Sequence, residues 1–192
     1  MNAIRTDTLN EISRGLDFLH EQALKLDGDG YAWKWIIIAL DNVLQNAMIE
    51  AASDSSGTNI LRKGEKVYAA LRGGGTLPSE RLDEFPALLD LCLSDQMLRF
   101  AGSRKLALTE QQRKSLKDLH RFRNEFIHFL PRFWILRLEG FREMASDVLD
   151  VVRFLLFESG NVTWTDAAQR GALVDSLDRL RKKITSVSGE TP

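Results

Sequence analysis

Apolar residues return every three to four positions along most of this 192-residue chain, a spacing that builds one face of a helix and not the alternating faces of a strand. Ile4, Leu9, Ile12, Leu16, Leu19, Ala23 and Leu26 form the first such series, and Gly28-Asp29-Gly30 ends it. A second helix starts near Tyr31. From Trp33 to Glu50 it is apolar on most sides at its start and then carries a polar set, Asp41, Asn42, Gln45 and Asn46. That pattern predicts a central helix whose polar edge is either functional or simply faces solvent. Loops at Ser53–Gly57 and Gly73–Gly75 flank a short helical stretch from about Thr58 to Leu71. The next apolar segment runs from Phe85 to Phe100, with Pro86 acceptable in a first helical turn.

After a loop at 101–107, Thr109 and Gln112 make a capping box that starts a helix at about Glu110. Pro131 cannot donate back into that helix and disfavours helical geometry at the residue before it, so the helix stops near Leu130 with His128 in its last turn. A short extended piece at 133–138 precedes a helix of about Glu139 to Ser159, built on Phe141, Met144, Val148, Val151, Val152, Leu155 and Leu156. Ala168, Leu173, Leu177 and Leu180 carry the last, from about Thr165 to Ile184. The expectation is an all-α bundle of about five to six helices, one domain over 1–186 with a flexible tail at 187–192.

Several chemistries have no footing in these residues. Three histidines and one cysteine supply no zinc-ligand spacing, and His-Glu-x-x-His is absent, so no metal or other cofactor is expected. The Gly73–Gly75 run lacks a following Lys-Ser or Lys-Thr, which removes a phosphate-cradling loop. Neither a Gly-x-Ser-x-Gly elbow nor a dinucleotide fingerprint occurs. Cys92, within Leu88–Leu93, reads as a small buried hydrophobe in a reducing compartment. The first seven residues hold no apolar signal core, and the run Trp35–Leu40 is far too short to span a bilayer, so a cytoplasmic protein without membrane association is expected.

The chemistry concentrates in Arg123-Asn124-Glu125-Phe126-Ile127-His128. Arg binds phosphate through a planar fork of donors, and an imidazole with an unperturbed pKa of about 6.5 both takes and gives protons at neutral pH. At about 100° per residue the two side chains diverge by roughly 140° around the helix. Asn124 lies one turn before His128, where its amide can orient the ring, and His120 lies one turn before Asn124. The polar line His120, Asn124, His128 borders Leu116, Leu119, Phe122, Phe126 and Ile127, and polar groups beside that much apolar surface need partners.

Leu119 to Pro131, followed by Trp134 and Gly140-Phe141, resembles a bacterial branch of the HEPN superfamily, whose hallmark is Arg, a polar residue, three variable residues and His. The likeness extends to Ala39–Gln45 and to Leu108–Gln111, and so covers roughly residues 33–142. It implies a small helical bundle, commonly a dimer, and in many members a metal-independent endoribonuclease of toxin–antitoxin or antiviral systems. Other members only bind nucleotides or proteins. By this resemblance Arg123 and His128 are the catalytic pair, with Asn124, His120, Asp41 and Gln45 in support and RNA as substrate. An antitoxin or other defence partner is implied as well. Some of the resembled toxins carry a Tyr two residues after the His, where a nucleotidyltransferase modifies them. Leu130 stands there in this chain, which leaves that form of regulation without its acceptor.

Charge is uneven. The formal total is −1, yet between Arg99 and Arg142 eleven basic residues face four acids, a surplus of seven. Lys117, Arg121 and Arg132 are the candidate phosphate contacts of this band, and a solvated helix face balanced by neighbouring acids is the competing reading. One helix offers only one Arg and one His, so a symmetric dimer is the economical way to complete a site. Phe122, Phe126, Phe129 and Trp134 would supply either its contact area or the core of one chain.

Overall fold

The computed structural model describes residues 3, 4, 6–74, 76, 79, 81–128, 135 and 137–186. Pro131, Arg132, Leu130, Phe129, Trp134 and the tail 187–192 fall outside these, so the expectations attached to them have no structural counterpart. The described residues contain seven α-helices and no strand, only an isolated bridge between Leu61 and Leu82.

α1 (Thr8–Lys25) begins where the Asp7 carboxylate accepts from the Asn10 backbone N–H, satisfying a donor that the first turn leaves open. Ile4, expected to open the apolar series, stands outside the helix at 94% exposure, because the cap and not the period decides the start. α2 (Ala32–Ala52) folds back on α1 and is the hub of the bundle, packing on every later α-helix except the third and the last. Trp33, Ile36, Ile37, Leu40, Val43, Leu44, Ala47 and Met48 are all buried. Gly15 of α1 permits the close approach: a Cβ there would lie 2.5 Å from the Val43 side chain.

The expected stretch from Thr58 forms a helix only from its seventh residue on, as α3 (Gly64–Gly73), and the described residues hold seven α-helices where about five to six were expected. The segment expected to run unbroken from Phe85 to Phe100 divides. α4 (Phe85–Leu93) ends at Ser94, whose hydroxyl caps a separate 3₁₀ turn at Asp95–Met97 by accepting from Gln96 N–H. Ser competes for backbone hydrogen bonds in this way, and the apolar period hides it. α5 (Glu110–Ile127) carries the Thr109/Gln112 capping box. It closes with His128 as its C-cap residue at φ −101°, ψ 49°, so the limit set by Pro131 is only an outer one. α6 (Phe141–Arg153) starts after Gly140 and passes into a π turn at Phe154–Glu158, so the helix expected over Glu139–Ser159 is shorter at both ends and irregular at one. α7 (Ala167–Ser186) lies along α1 and α6, tied by ion pairs of Arg181 with Asp150, Arg153 with Asp178 and Lys183 with Asp27.

One contiguous core runs through α1, α2, α4, α5, α6 and α7. Phe122 and Phe126 belong to its interior side: Phe126 is 7% exposed, and Phe122 packs edge-on against Phe141, itself edge-on against Trp33. Phe126 is therefore committed to the core, and Phe122 is half-buried against it. Cys92 is buried and its thiol is pushed up to about 12 by burial, which suits a structural residue and not a nucleophile.

Gly160 secures the junction after the π turn. It has φ +73°, and an added Cβ would sit 2.5 Å from the Gly102 carbonyl oxygen. Both the backbone and the space forbid a side chain there, so Gly160→Ala should cost about 1–3 kcal/mol of stability in a denaturant titration. An unchanged midpoint would mean that the loop at 101–107 moves freely away.

Candidate functional site

Asp41 leaves the hydrophobic face of α2 at a point where α5 passes, and only 2% of its side chain is exposed. A buried carboxylate needs compensating donors, and α5 supplies two of them. His120 Nδ1 lies 3.1 Å from Asp41 Oδ1, and Arg123 Nε lies 3.4 Å from Asp41 Oδ2. The circuit then closes on α5 itself. Asn124 Nδ2 lies 3.2 Å from His120 Nε2, and Arg123 Nη1 donates to Asn124 Oδ1 at 2.9 Å. Phe85, at the start of α4, stacks on the His120 ring with 4.3 Å between centroids and planes 14° apart. Burial pushes the Asp41 carboxyl above its ordinary 3.8, opposed by the His120 hydrogen bond and by the charges of His120 and Arg123.

The ring of Asp41, His120, Asn124 and Arg123 fixes the guanidinium on two of its three nitrogens. Nη2 has no partner among the described residues, and the Arg123 side chain is 33% exposed. Held at its inner edge and open at its outer one, such a group can receive an anion without first being ordered.

His128 stands apart. It is exposed at the C-terminal end of α5, where its backbone N–H bonds to Asn124 O at 2.9 Å, and its ring makes no hydrogen bond or ion pair among the described residues. The amide of Asn124, expected one turn later at His128, turns back one turn to His120. Spacing permits both, and Asp41 decides by anchoring His120 within reach. Gln45 is half-buried and makes no hydrogen bond among the described residues, so it does not join the ring, while Asn42 and Asn46 bond to each other.

The basic band divides among several duties. Arg99 caps α2 by donating to the carbonyls of Ala51 and Ala52, Arg104 holds Glu158, and Lys105 holds Asp95. Arg121 is paired with both Asp118 and Glu125 and covers the Phe122 ring at 4.0 Å. Lys117 is exposed with no ion pair among the described residues. A groove of about 530 Å³ along α5 and α6 brings Lys114, Arg121 and Arg137 together with Asp118, Glu139 and Glu143, so its charges are mixed.

Phe85 escaped sequence reasoning, since nothing in an apolar series says which ring will meet a histidine. Asp41 was visible as a polar interruption in an apolar helix. Among the described residues no group of three or more His, Cys, Asp or Glu side chains gathers as a metal site would require, and no helix is long and apolar enough to cross a membrane. Compared with protein-family models, with curated proteins and with solved structures, the chain finds no match.

Proposed function

We propose that this chain is a metal-independent endoribonuclease of the HEPN type, cytoplasmic, working as a two-fold dimer in a toxin–antitoxin or antiphage defence setting. The observation that carries the reading is the Arg123 guanidinium, gripped by Asp41 and Asn124 and open at Nη2, five residues before an exposed His128. The RNA 2′-hydroxyl attacks the adjacent phosphorus as its proton passes to one imidazole. The P–O5′ bond breaks, and the leaving oxygen takes a proton from the other. The products are a 2′,3′-cyclic phosphate and a 5′-hydroxyl. Two proton transfers on opposite sides of one phosphorus call for two imidazoles, which a pair of chains contributes as its two His128 residues. Arg123 stabilises the charge that builds on the phosphoryl oxygens.

A second reading, binding of RNA or nucleotides without cleavage, is favoured by the His128 ring, which no described side chain orients. Incubating RNA with the purified protein in EDTA separates the two: cut products support the nuclease, and retention of intact RNA on the protein supports the binding module.

Phosphate contacts should make RNA binding salt-dependent. Lys117→Gln should lower the slope of log K against log salt by about one unit, as loss of one contact does. Arg121→Gln should lower it less, because Asp118 and Glu125 already neutralise that cation. Arg132→Gln, at a position outside the described residues, should match Lys117→Gln. Equal slopes in all proteins would mean that the band is a solvated surface.

A further inference from the structure

The hydrogen bonds of the Asp41 ring can run in only one direction, and that direction assigns a protonation state. Arginine donates and never accepts, so the atom facing Arg123 Nη1 is the Asn124 carbonyl oxygen. The amide nitrogen of Asn124 must then face His120 Nε2, as a donor. Nε2 therefore accepts and carries no proton, which leaves Nδ1 protonated and donating to Asp41 Oδ1. A free imidazole has no such constraint.

We infer that His120 regulates the proposed site: as the neutral Nδ1–H imidazole it locks Asn124, and through Asn124 the phosphate-binding guanidinium of Arg123, and a second proton on its Nε2 unlocks both. The inference rests on the function proposed above only in calling Arg123 the phosphate ligand; the direction of the ring stands without it. When Nε2 gains a proton, two donors meet at 3.2 Å. The Asn124 amide relieves the clash by turning over, presenting its oxygen to His120. Its nitrogen then faces Arg123 Nη1, again donor against donor, and the guanidinium loses one of its two holds. Asn124 thus passes a protonation event on one side chain to the geometry of another. The groups that face the imidazole are few: the Asp41 carboxylate from α2, the uncharged Phe85 ring from α4, and Asn124, with Arg123 behind it, from its own helix. The Asp41 carboxylate stays bonded to Nδ1–H in either state, so the second proton disturbs the Asn124 side alone. His120 is a positioning residue here, acting on RNA only through Arg123.

Long-range ¹H–¹⁵N correlation on the full chain labelled with ¹⁵N-histidine and ¹⁵N-arginine reads this directly, with His120→Gln, His20→Gln and His128→Gln each assigning one imidazole and Arg123→Lys assigning the Arg123 Nε–H. At neutral pH the His120 signal should show the Nδ1–H tautomer. Asn124→Ala should keep that tautomer, because the Asp41 carboxylate still accepts from Nδ1–H, so this variant isolates the link from His120 to Arg123. On acidification, the Arg123 Nε–H resonance should lose intensity to solvent exchange in step with the charging of His120, and in Asn124→Ala it should be exchange-broadened already at neutral pH. A Nε2–H tautomer or a charged ring at neutral pH would overturn the inference, as would an Arg123 signal indifferent to the charging of His120. These readouts need no RNA. A correctly directed ring in a protein that never cuts RNA would refute the nuclease and leave the lock standing; cleavage with the wrong tautomer would do the reverse.

Discussion

His128→Ala is expected to lower RNA cleavage on the order of 10²–10⁴-fold, the usual consequence of removing one well-placed acid–base group, while leaving stability within about 0.5 kcal/mol of wild type. The second half follows from where the ring sits. It is exposed at the end of α5, and its side chain touches no polar partner among the described residues, so none of them depends on it. Arg123→Ala should lower cleavage comparably but also destabilise the protein by about 1–3 kcal/mol, because it strips an ion-paired cation from the buried Asp41 carboxylate. Denaturant midpoints measured beside cleavage rates separate the pair. If His128→Ala unfolds the protein, the residue is structural and the catalytic assignment falls.

Asp41→Asn should be the most damaging conservative change in the molecule for activity. It keeps size and shape but sets an amide against either His120 Nδ1–H or Arg123 Nε–H, one of which must then let go. Displacing Arg123 by about an ångström is enough to cost on the order of 10²-fold in rate. Its effect on stability has the opposite sense at one end of the pH scale. Burial raises the folded-state pKa of Asp41 above 3.8, so the folded chain binds that proton more tightly than the unfolded chain does. Relative to Asp41→Asn, wild type is therefore most stable below pH 3.8 and loses that advantage as pH rises through the raised folded value. Parallel denaturation series across the acid range give the difference directly, with the contributions of the other carboxyls cancelling. A wild type that gains on the variant as pH rises would show that the ion pairs outweigh burial.

What could be read from the sequence was local. The Thr109/Gln112 capping box and the apolar series of α2 are decided by residues within a turn or two of one another, and both appear as expected. The start of α1 at Thr8 and the break at Ser94 were missed because a single capping side chain overrides the apolar period. The ring was legible only in part. Asp41 and His120 are 79 positions apart, so their pairing is a property of how α2 and α5 pack and not of either helix alone. Spacing offered Asn124 two partners, His120 and His128, at the same distance of four residues. Tertiary structure chose between them, and in doing so separated His128 from the group expected to orient it.

The chemistry of the cut ends tests the nuclease most directly. RNA incubated with wild-type protein in EDTA should yield fragments with 2′,3′-cyclic phosphate and 5′-hydroxyl termini, and His128→Ala at equal concentration should yield almost none. Cleavage only with added Mg²⁺ or Mn²⁺, products with 5′-phosphates, or equal cutting by the two proteins would contradict it.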